Sequence, residues 1–267
     1  MLLGREQSAA IPATRSLTEW LLLHHRPMMQ RCSDQFVRGP ALFDVPVVGW
    51  MLPLEAVEPL AGTIESQLLP PSVSRSAEIR RKSFIAGRLC AERCLDELEI
   101  RGEGVGRDSS GVPLWPHGVV GSITHNARFA VAVACVTSSV QSMGIDSESL
   151  VQVQAAEAIE KNCCTEDERL SLLADGNSAL VLTLIFSAKE SFYKAIYPLV
   201  ERYVDFADVE VRAVDWRRQE FLVGPVPTRP FAQLLPTLQG RFSVDGGQLH
   251  TGVAYIAGRI LGSSATT

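Results

Sequence analysis

At 267 residues the chain is long enough for one large domain or two small ones. A hydrophobic content of 46% allows a substantial core, and a charged content of 21% is typical of globular proteins. The net charge of −5 excludes an overall attraction to nucleic acid or to an anionic membrane. Any phosphate-binding site therefore has to be a local basic cluster.

We expect no targeting or membrane-spanning segment and no disulfide framework in this chain. No apolar run approaches the roughly 20 residues of a membrane-spanning helix, and the first residues lack the apolar core of a signal peptide. The six cysteines form no CxxC pair and have no histidine at zinc-binding spacing. We therefore expect a cytoplasmic protein whose thiols are reduced and mostly buried.

The N-terminal part predicts a short helix followed by a strand. Leu17 to His25 has helical character, and we expect Pro27 to end this helix. Phe43 to Leu54 combines Val, Phe and Trp with turn residues, which indicates strand and loop.

A long helix with a basic face is predicted at Ala77–Ile100. It carries four cations in an acidic protein: Arg80, Arg81, Lys82 and Arg88. Two interpretations stay open, a solvated basic face or a clamp on an anionic ligand. In a clamp, arginine binds phosphate through two hydrogen bonds and lysine acts as a point charge.

A Gly- and Pro-rich stretch leads from this helix to a strand. Arg101 to Gly111 is predicted to be a loop, and Arg128 to Val136 is a Val-rich buried strand. Thr124 and His125 are expected at the turn that enters this strand. A histidine beside a hydroxyl in a Gly-bounded loop is a candidate for a phosphate site, although a lone histidine is more often structural.

The next predicted strand, Val140 to Glu148, ends in acidic residues. Asp146 and Glu148 are two apart, so on an extended chain both carboxylates point the same way. With a third carboxylate and phosphate oxygens from a ligand, they form a plausible Mg²⁺ site. The alternative is a solvent-exposed strand end.

A second long helix is predicted at Ser178–Tyr197, with Pro198 as its stop. Ser187, Glu190 and Lys194 have the spacing i, i+3, i+7 and share one face. Glu190 and Lys194 form either an ordinary surface ion pair or part of a charged site completed by residues elsewhere.

Two local signals complete the C-terminal part. Thr165 and Glu168 have the spacing of a capping box. Arg241–Val244 and Leu249–Ala257 are alternating runs around Asp245-Gly246-Gly247, which predicts a hairpin.

The order of elements suggests a weak internal repeat. Ala77–Ile100 precedes an apolar strand at Phe129–Val136, and Ser178–Tyr197 precedes another at Gly252–Ile256. We therefore expect an α+β fold of two similar halves, residues 1–142 and 143–267. Asp146 and Glu148 would lie in the cleft between the halves, where ligand sites are favoured.

Three strings occur in order along the chain: GVPLWPHGVVGSITH, GIDSE and FSAKESFYK. Together they resemble the 4′-phosphopantetheinyl transferases of the surfactin/enterobactin type, most closely the enterobactin-synthase-type members. The resemblance covers about Phe43 to Phe206. It implies two similar α+β halves with coenzyme A and Mg²⁺ in the cleft between them.

The implied reaction is transfer of phosphopantetheine from coenzyme A to a serine of an apo acyl or peptidyl carrier protein, which leaves 3′,5′-ADP. Such enzymes serve secondary metabolism, including siderophore biosynthesis. We expect a monomer that binds no nucleic acid.

The resemblance also assigns roles to individual residues. The implied metal ligands are Asp146, Glu148 and Glu190; Glu190 is also the implied general base, and Lys194 the implied phosphate contact. Thr124 and His125 match the Ser-His pair of the family. The implied nucleotide-phosphate contacts on the basic helix are Arg81, Lys82 and Arg88.

Two other classes remain as alternatives. A Mg²⁺-dependent phosphohydrolase acting on a nucleotide pyrophosphate also uses clustered carboxylates. A non-catalytic module that binds carrier protein or coenzyme A would have no need for three acidic residues.

Overall fold

The computed structural model of the protein describes residues 16–62, 64, 69–136, 140–173, 178–230 and 232–256. In chain order the helices and strands are α1 (Leu17–His24), α2 (Arg26–Ser33), β1 (Val37–Arg38), β2 (Val48–Pro53), α3 (Glu58–Ala61), α4 (Pro71–Ser74), α5 (Glu78–Glu97), β3 (Gly106–Arg107), β4 (Pro113–Leu114), β5 (Val119–His125), β6 (Phe129–Val136), β7 (Val140–Ser149), α6 (Val153–Cys163), α7 (Glu166–Leu172), α8 (Ser178–Val200), β8 (Val209–Asp215), β9 (Glu220–Pro225), β10 (Leu238–Asp245) and β11 (Gln248–Ile256). Short 3-10 helices occupy Leu54–Val57, Phe206–Asp208 and Ala232–Leu234.

The N-terminal half is a four-stranded antiparallel sheet, β1-β2-β6-β5, with α5 across one face. Strand β6 is buried on both faces, as its continuous apolar sequence predicts. Its alanines, such as Ala130 and Ala132, pack with Ile85 and Leu89 of α5. The residues between them point the other way, because side chains alternate along a strand.

The C-terminal half repeats this plan with a five-stranded antiparallel sheet, β7-β11-β10-β9-β8, and α8 across it. Helix α8 buries Leu184, Ala188 and Phe192 in an apolar core that includes Phe221 and Leu249 of the sheet. Burial of such a helix face supplies most of its stability, since intrinsic helix propensity alone contributes little.

The two halves join through a third apolar cluster. Val131 and Val133 of β6 pack in it with Met143 and Ile145 of β7. The backbone N–H of Ile145 donates to Ser122 Oγ of β5 over 3.1 Å, which fixes β7 against the N-terminal sheet. The predicted α+β class with two similar sheet-bearing halves is confirmed. The expected boundary after residue 142 falls inside β7, and this division stays a prediction.

Two local predictions are also confirmed. Thr165 and Glu168 form a reciprocal capping box at the start of α7. Strands β10 and β11 pair as a hairpin that closes at Asp245 and Gln248. The turn residues Gly246 and Gly247 have φ of +54° and +76°, a region that glycine adopts without strain. Ala257, the predicted end of the hairpin, lies outside the described residues.

The predicted helix Leu17–His25 is confirmed as α1, which ends before Pro27, whereas Pro198 does not end its helix as predicted. Pro27 lies in the first turn of α2, where its missing N–H has no intrahelical partner to lose. Pro198 lies inside α8, close enough to the C-terminus that few turns are disturbed. The helix ends at Val200 instead, and the next residue, Glu201, has a left-handed φ of +46° and donates its N–H to the Tyr197 carbonyl.

The segment before β6 is a strand rather than a turn. Thr124 and His125 belong to β5, which pairs with β6 from Val119 to His125. The glycine in this strand, Gly121, makes room for Trp115: a Cβ there would lie 2.5 Å from the indole ring. Glycine at this position therefore allows a close approach, and the prediction of a turn was wrong.

All six cysteines are free and buried, as expected. Burial raises the pKa of Cys32 to about 11 and the pKa values of Cys94 and Cys164 to about 12. Among the described residues, no helix is long and apolar enough to cross a membrane.

A buried ion pair ties α8 to the elements around it. Lys189 Nζ donates to Glu168 Oε2 over 2.8 Å and to the carbonyl oxygens of Cys163 and Phe206. The other oxygen of Glu168 accepts from the Val211 N–H. Both charges are therefore fully hydrogen-bonded, the condition under which a buried pair is tolerated. Lys189 is thus a structural residue that points away from its neighbour Glu190.

Candidate active site

A cleft of about 1030 Å³ opens where α5, β5 and α8 meet. Two acidic residues, Asp108 and Glu201, line it together with five basic side chains: Arg80, Arg88, Arg107, His125 and Lys194. The basic side chains come from α5, β3, β5 and α8, so both halves contribute. A protein with a net charge of −5 thus concentrates positive charge in one concave region.

Arg88 is the most buried cation of the cleft, with 8% of its surface exposed. Its guanidinium lies over the Phe84 ring, 4.9 Å from the centroid. Burial and the neighbouring charge of Arg107 lower the pKa of Arg88 to about 10, and Glu92 offsets this only partly. An anionic ligand would offset both the desolvation of Arg88 and its repulsion by Arg107, because it would supply a counter-charge where water is excluded.

The other two predicted contacts on α5 do not line the cleft. Arg81 donates to the Ser76 carbonyl, in the turn before the helix. Lys82 forms ion pairs of 2.7 Å with Glu58 and Glu78. Lys82 lies two positions from Phe84, which places it on the far side of a helix of 3.6 residues per turn.

Thr124 and His125 point to different places, because they are neighbours in a strand. His125 lines the cleft, where desolvation and the charges of Lys194 and Arg80 lower its pKa. Thr124 is buried and donates from Oγ1 to Asp146 Oδ1 over 3.0 Å. Of these two residues, His125 lines the cleft that could hold a phosphate, whereas Thr124 contacts the acidic residue Asp146.

Asp146 is the centre of the acidic group and is 4% exposed. Its Oδ1 accepts from Lys194 Nζ over 2.7 Å. The same ammonium donates to the Ile145 carbonyl over 3.0 Å and to Thr124 Oγ1 over 3.2 Å. Asp146 Oδ2 is buried and has no hydrogen-bond partner. A buried carboxylate oxygen without a donor is costly, and a cation there would satisfy it.

Glu148 and Glu190 are half-buried and lie within electrostatic reach of Asp146. Desolvation, followed by the charge of Asp146, raises the pKa of Glu148 to about 7. The pKa of Glu190 is raised mainly by desolvation, with a contribution from Asp146 that Lys194 opposes. The crowding favours any added positive charge.

The carboxylates of Asp146, Glu148 and Glu190 offer the oxygen ligands that a divalent cation such as Mg²⁺ prefers. In the described part of the chain, however, no three acidic, histidine or cysteine residues already converge closely enough to hold a metal. The fit rests instead on the unpartnered Asp146 Oδ2, on the oxygen-only donor set and on the mutual repulsion of the carboxylates.

A close approach of α8 to β7 positions Lys194 over Asp146. A Cβ on Gly144 would lie 2.0 Å from the Ser191 carbonyl oxygen and 2.7 Å from Ala195 N. The helix face that touches the sheet here is lined by hydroxyls: Ser187 and Ser191 both hydrogen-bond Thr251. Ser187 and Lys194 therefore face the same sheet, as their spacing predicts, because their partners Thr251 and Asp146 are directly paired in β11 and β7.

Sequence reasoning missed Arg107 as a member of the basic group. It lies in a segment that was predicted only to be a loop, and it pairs there as strand β3 with β4. The available signal was a single cation within the Gly-rich residues 102–111. Arg80 also lines the cleft, although the sequence identifies it only as one of the cations of the basic helix.

Comparison with known proteins places the chain in a family. The family described as the 4′-phosphopantetheinyl transferase N-terminal domain matches residues 65–135, and the 4′-phosphopantetheinyl transferase superfamily matches residues 142–240. The transferase Npt of Nocardia iowensis is 31% identical over 192 residues, covering 68% of this chain and 86% of Npt.

Two further relatives agree. The transferase PptT of Mycobacterium tuberculosis is 32% identical over 194 residues, covering 68% of this chain and 82% of PptT. Enterobactin synthase component D of Salmonella typhi is 41% identical over 124 residues, covering 45% of this chain and 50% of that protein. The chain belongs to the 4′-phosphopantetheinyl transferase superfamily, and it is an enzyme of that class.

Gly144→Ala tests whether the close approach of α8 is needed. The added methyl group cannot fit without moving α8 from β7, so we expect a loss of about 1–3 kcal/mol in the free energy of unfolding and a large loss of transferase activity. Urea unfolding and the transfer rate measure the two effects. Gly62→Ala is the matched control, since its Cβ would meet nothing within 4 Å. Equal stability and activity of the two variants would contradict the interpretation.

Proposed function

We propose that the enzyme transfers 4′-phosphopantetheine from coenzyme A to a serine hydroxyl of an apo acyl or peptidyl carrier protein, with Mg²⁺ bound. The serine oxygen forms a bond to the phosphorus that carries pantetheine. The bond from that phosphorus to the nucleotide breaks, and 3′,5′-ADP leaves. The observation that carries the proposal is the placement of Lys194, which lines the basic cleft and also holds Asp146 of the acidic group.

The basic wall of the cleft is suited to the phosphates of coenzyme A. Arg88 supplies a buried guanidinium, which can bind a phosphate through two hydrogen bonds. Arg80, Arg107 and His125 line the same space and add donors at its edges. Arg81 and Lys82 have local partners and stay outside this proposed set.

The acidic residues would hold the metal ion. Asp146 would bind it through the unpartnered Oδ2, with Glu148 and Glu190 completing the set. Magnesium bound there would neutralise pyrophosphate charge and orient the reacting phosphate. Lys194 lines the cleft and would contact the phosphates through its ammonium group.

Glu190 is the proposed general base for the carrier serine. A serine hydroxyl is a weak nucleophile until its proton is removed. Burial raises the pKa of Glu190 above its ordinary value, and a more basic carboxylate is a better proton acceptor.

The proposed setting is the reducing cytoplasm, in which six buried free thiols are stable. We propose that one chain acts as a monomer, because the cleft and the acidic group are built from residues of a single chain. The name of the enterobactin synthase relatives favours a carrier protein of siderophore or other secondary metabolism as the acceptor.

The central test is mass spectrometry of apo-carrier proteins after incubation with coenzyme A and Mg²⁺. We expect at least one peptidyl or acyl carrier to gain the mass of phosphopantetheine on serine, and the gain to be lost in excess EDTA. Release of 3′,5′-ADP without any carrier would favour the phosphohydrolase. Carrier modification that continues unchanged in EDTA would contradict the role of the metal.

Arg88→Ala should weaken coenzyme A at the nucleotide end. Loss of a charge-assisted contact of about 1.5–3 kcal/mol predicts a KM for coenzyme A raised by roughly ten- to a hundredfold. Arg81→Ala is the matched control on the same helix, because Arg81 does not line the cleft. Dephospho-coenzyme A reports whether the 3′-phosphate is the group held. A KM that rises equally in both variants would contradict the assignment of the cleft wall.

Glu190→Gln separates the base from the metal ligand. Glutamine keeps one oxygen ligand but cannot take a proton. At saturating Mg²⁺ we expect kcat for carrier modification to stay about 10²–10⁴-fold below that of the parent. Glu166→Gln, on the surface of α7, is the control for a lost charge. Recovery of the Glu190 variant to near the parent rate would leave Glu190 as a ligand only.

A further inference from the structure

Lys194 makes contacts that a simple phosphate-binding lysine does not need. Its ammonium donates to three oxygens, those of Asp146, Thr124 and the Ile145 backbone, at 2.7, 3.2 and 3.0 Å. All three acceptors belong to β5 and β7. Lys194 is therefore fixed on Asp146 in the free protein.

We propose that Lys194 is a built-in counter-cation for Asp146, which weakens binding of a divalent cation to the acidic group until substrate phosphates draw the ammonium away. The inference deepens the proposed function and rests on it for the identity of the cation and of the phosphates. It concerns the free protein, in which no phosphate competes for Lys194.

The geometry of Asp146 supports this competition. Oδ1 is occupied by Lys194 and Thr124, whereas the buried Oδ2 has no partner. A metal ion bound at Oδ2 would lie a few ångströms from the ammonium. Two positive charges at that separation repel in a poorly solvated site, so each weakens the other.

The charges around Lys194 indicate when this competition ends. Asp146 lies against it, and the carboxylates of Glu148 and Glu190 are within electrostatic reach. On the cleft side stand His125 and, further out, Arg80. A pyrophosphate in the cleft would bring negative charge to Lys194 from that side. The ammonium could then pair with phosphate and leave the carboxylates to the metal.

The consequence is a positive coupling between the two ligands. If phosphates draw the Lys194 ammonium away from Asp146, the affinity of the acidic group for the metal rises. The bound metal then raises the affinity of the cleft for the phosphates by the same factor. A free enzyme would hold the cation weakly, and the enzyme with coenzyme A bound would hold it tightly. Lys194 acts in this scheme as a competitor of the metal for Asp146.

The test is the binding of Mn²⁺ alone, measured by titration calorimetry without coenzyme A. Lys194→Gln removes the charge but keeps a hydrogen-bond donor for Asp146. We expect this variant to bind Mn²⁺ at least about tenfold more tightly than the parent. Lys194→Arg keeps the charge and should bind like the parent. Lys161→Gln, an exposed lysine on α6, controls for net charge and should also bind like the parent.

Three outcomes decide the matter. Tighter Mn²⁺ binding in Lys194→Gln alone supports the proposal, and Asp146→Asn should then abolish binding in that background. Unchanged or weaker binding in Lys194→Gln, with a melting temperature like that of the parent, overturns it. Equal tightening in Lys161→Gln also overturns it, since the effect would be one of net charge. Carrier modification by the parent is measured separately, so failure of the proposed function is distinguishable from failure of this inference.

Discussion

The close contact between α8 and β7 at Gly144 is the constraint on which the site depends. With no Cβ at that position, the backbone of the helix around Ser191 lies directly on the strand. One turn further along, Lys194 reaches Asp146 and the carbonyl of Ile145. The glycine of the GIDSE string and the lysine of the FSAKESFYK string are thus two sides of one packing contact. The glycine lets the helix approach closely enough for the lysine to reach Asp146.

Strand β7 belongs to both halves of the molecule. Its backbone pairs with β11 in the C-terminal sheet, whereas its side chains Met143 and Ile145 pack with the N-terminal sheet. The basic wall of the cleft is carried mainly by the N-terminal half and the carboxylates by the C-terminal half. Because β7 joins the halves through an apolar cluster, the two sets of charges keep a fixed separation. That arrangement suits a ligand that is anionic along its length and needs a cation at one point.

The sequence predicted the chemistry of the site more completely than its geometry. Strand alternation is local, so the pairing of Asp146 with Glu148 is predictable from spacing, whereas Glu190 is joined to them only through the family resemblance. The direction of Thr124 depends on how two sheets pack, and that is a non-local property. Arg81 illustrates the same limit: a helical pattern identifies a basic helix, but only the neighbouring strands decide which arginines meet the cleft. Pro198 shows that a proline near a helix end disturbs too few hydrogen bonds to act as a stop.

The buried cysteines can report the unfolding of each half of the protein separately. Cys32, Cys90, Cys94 and Cys135 lie in the N-terminal half, and Cys163 and Cys164 in the C-terminal half. Burial keeps these thiols protonated and out of reach of reagents, so labelling requires local or global unfolding. The order in which a thiol reagent modifies the two sets would follow the order in which the halves open. No engineered label is needed for such an experiment, because the native sequence already carries one set of probes on each side of the cleft.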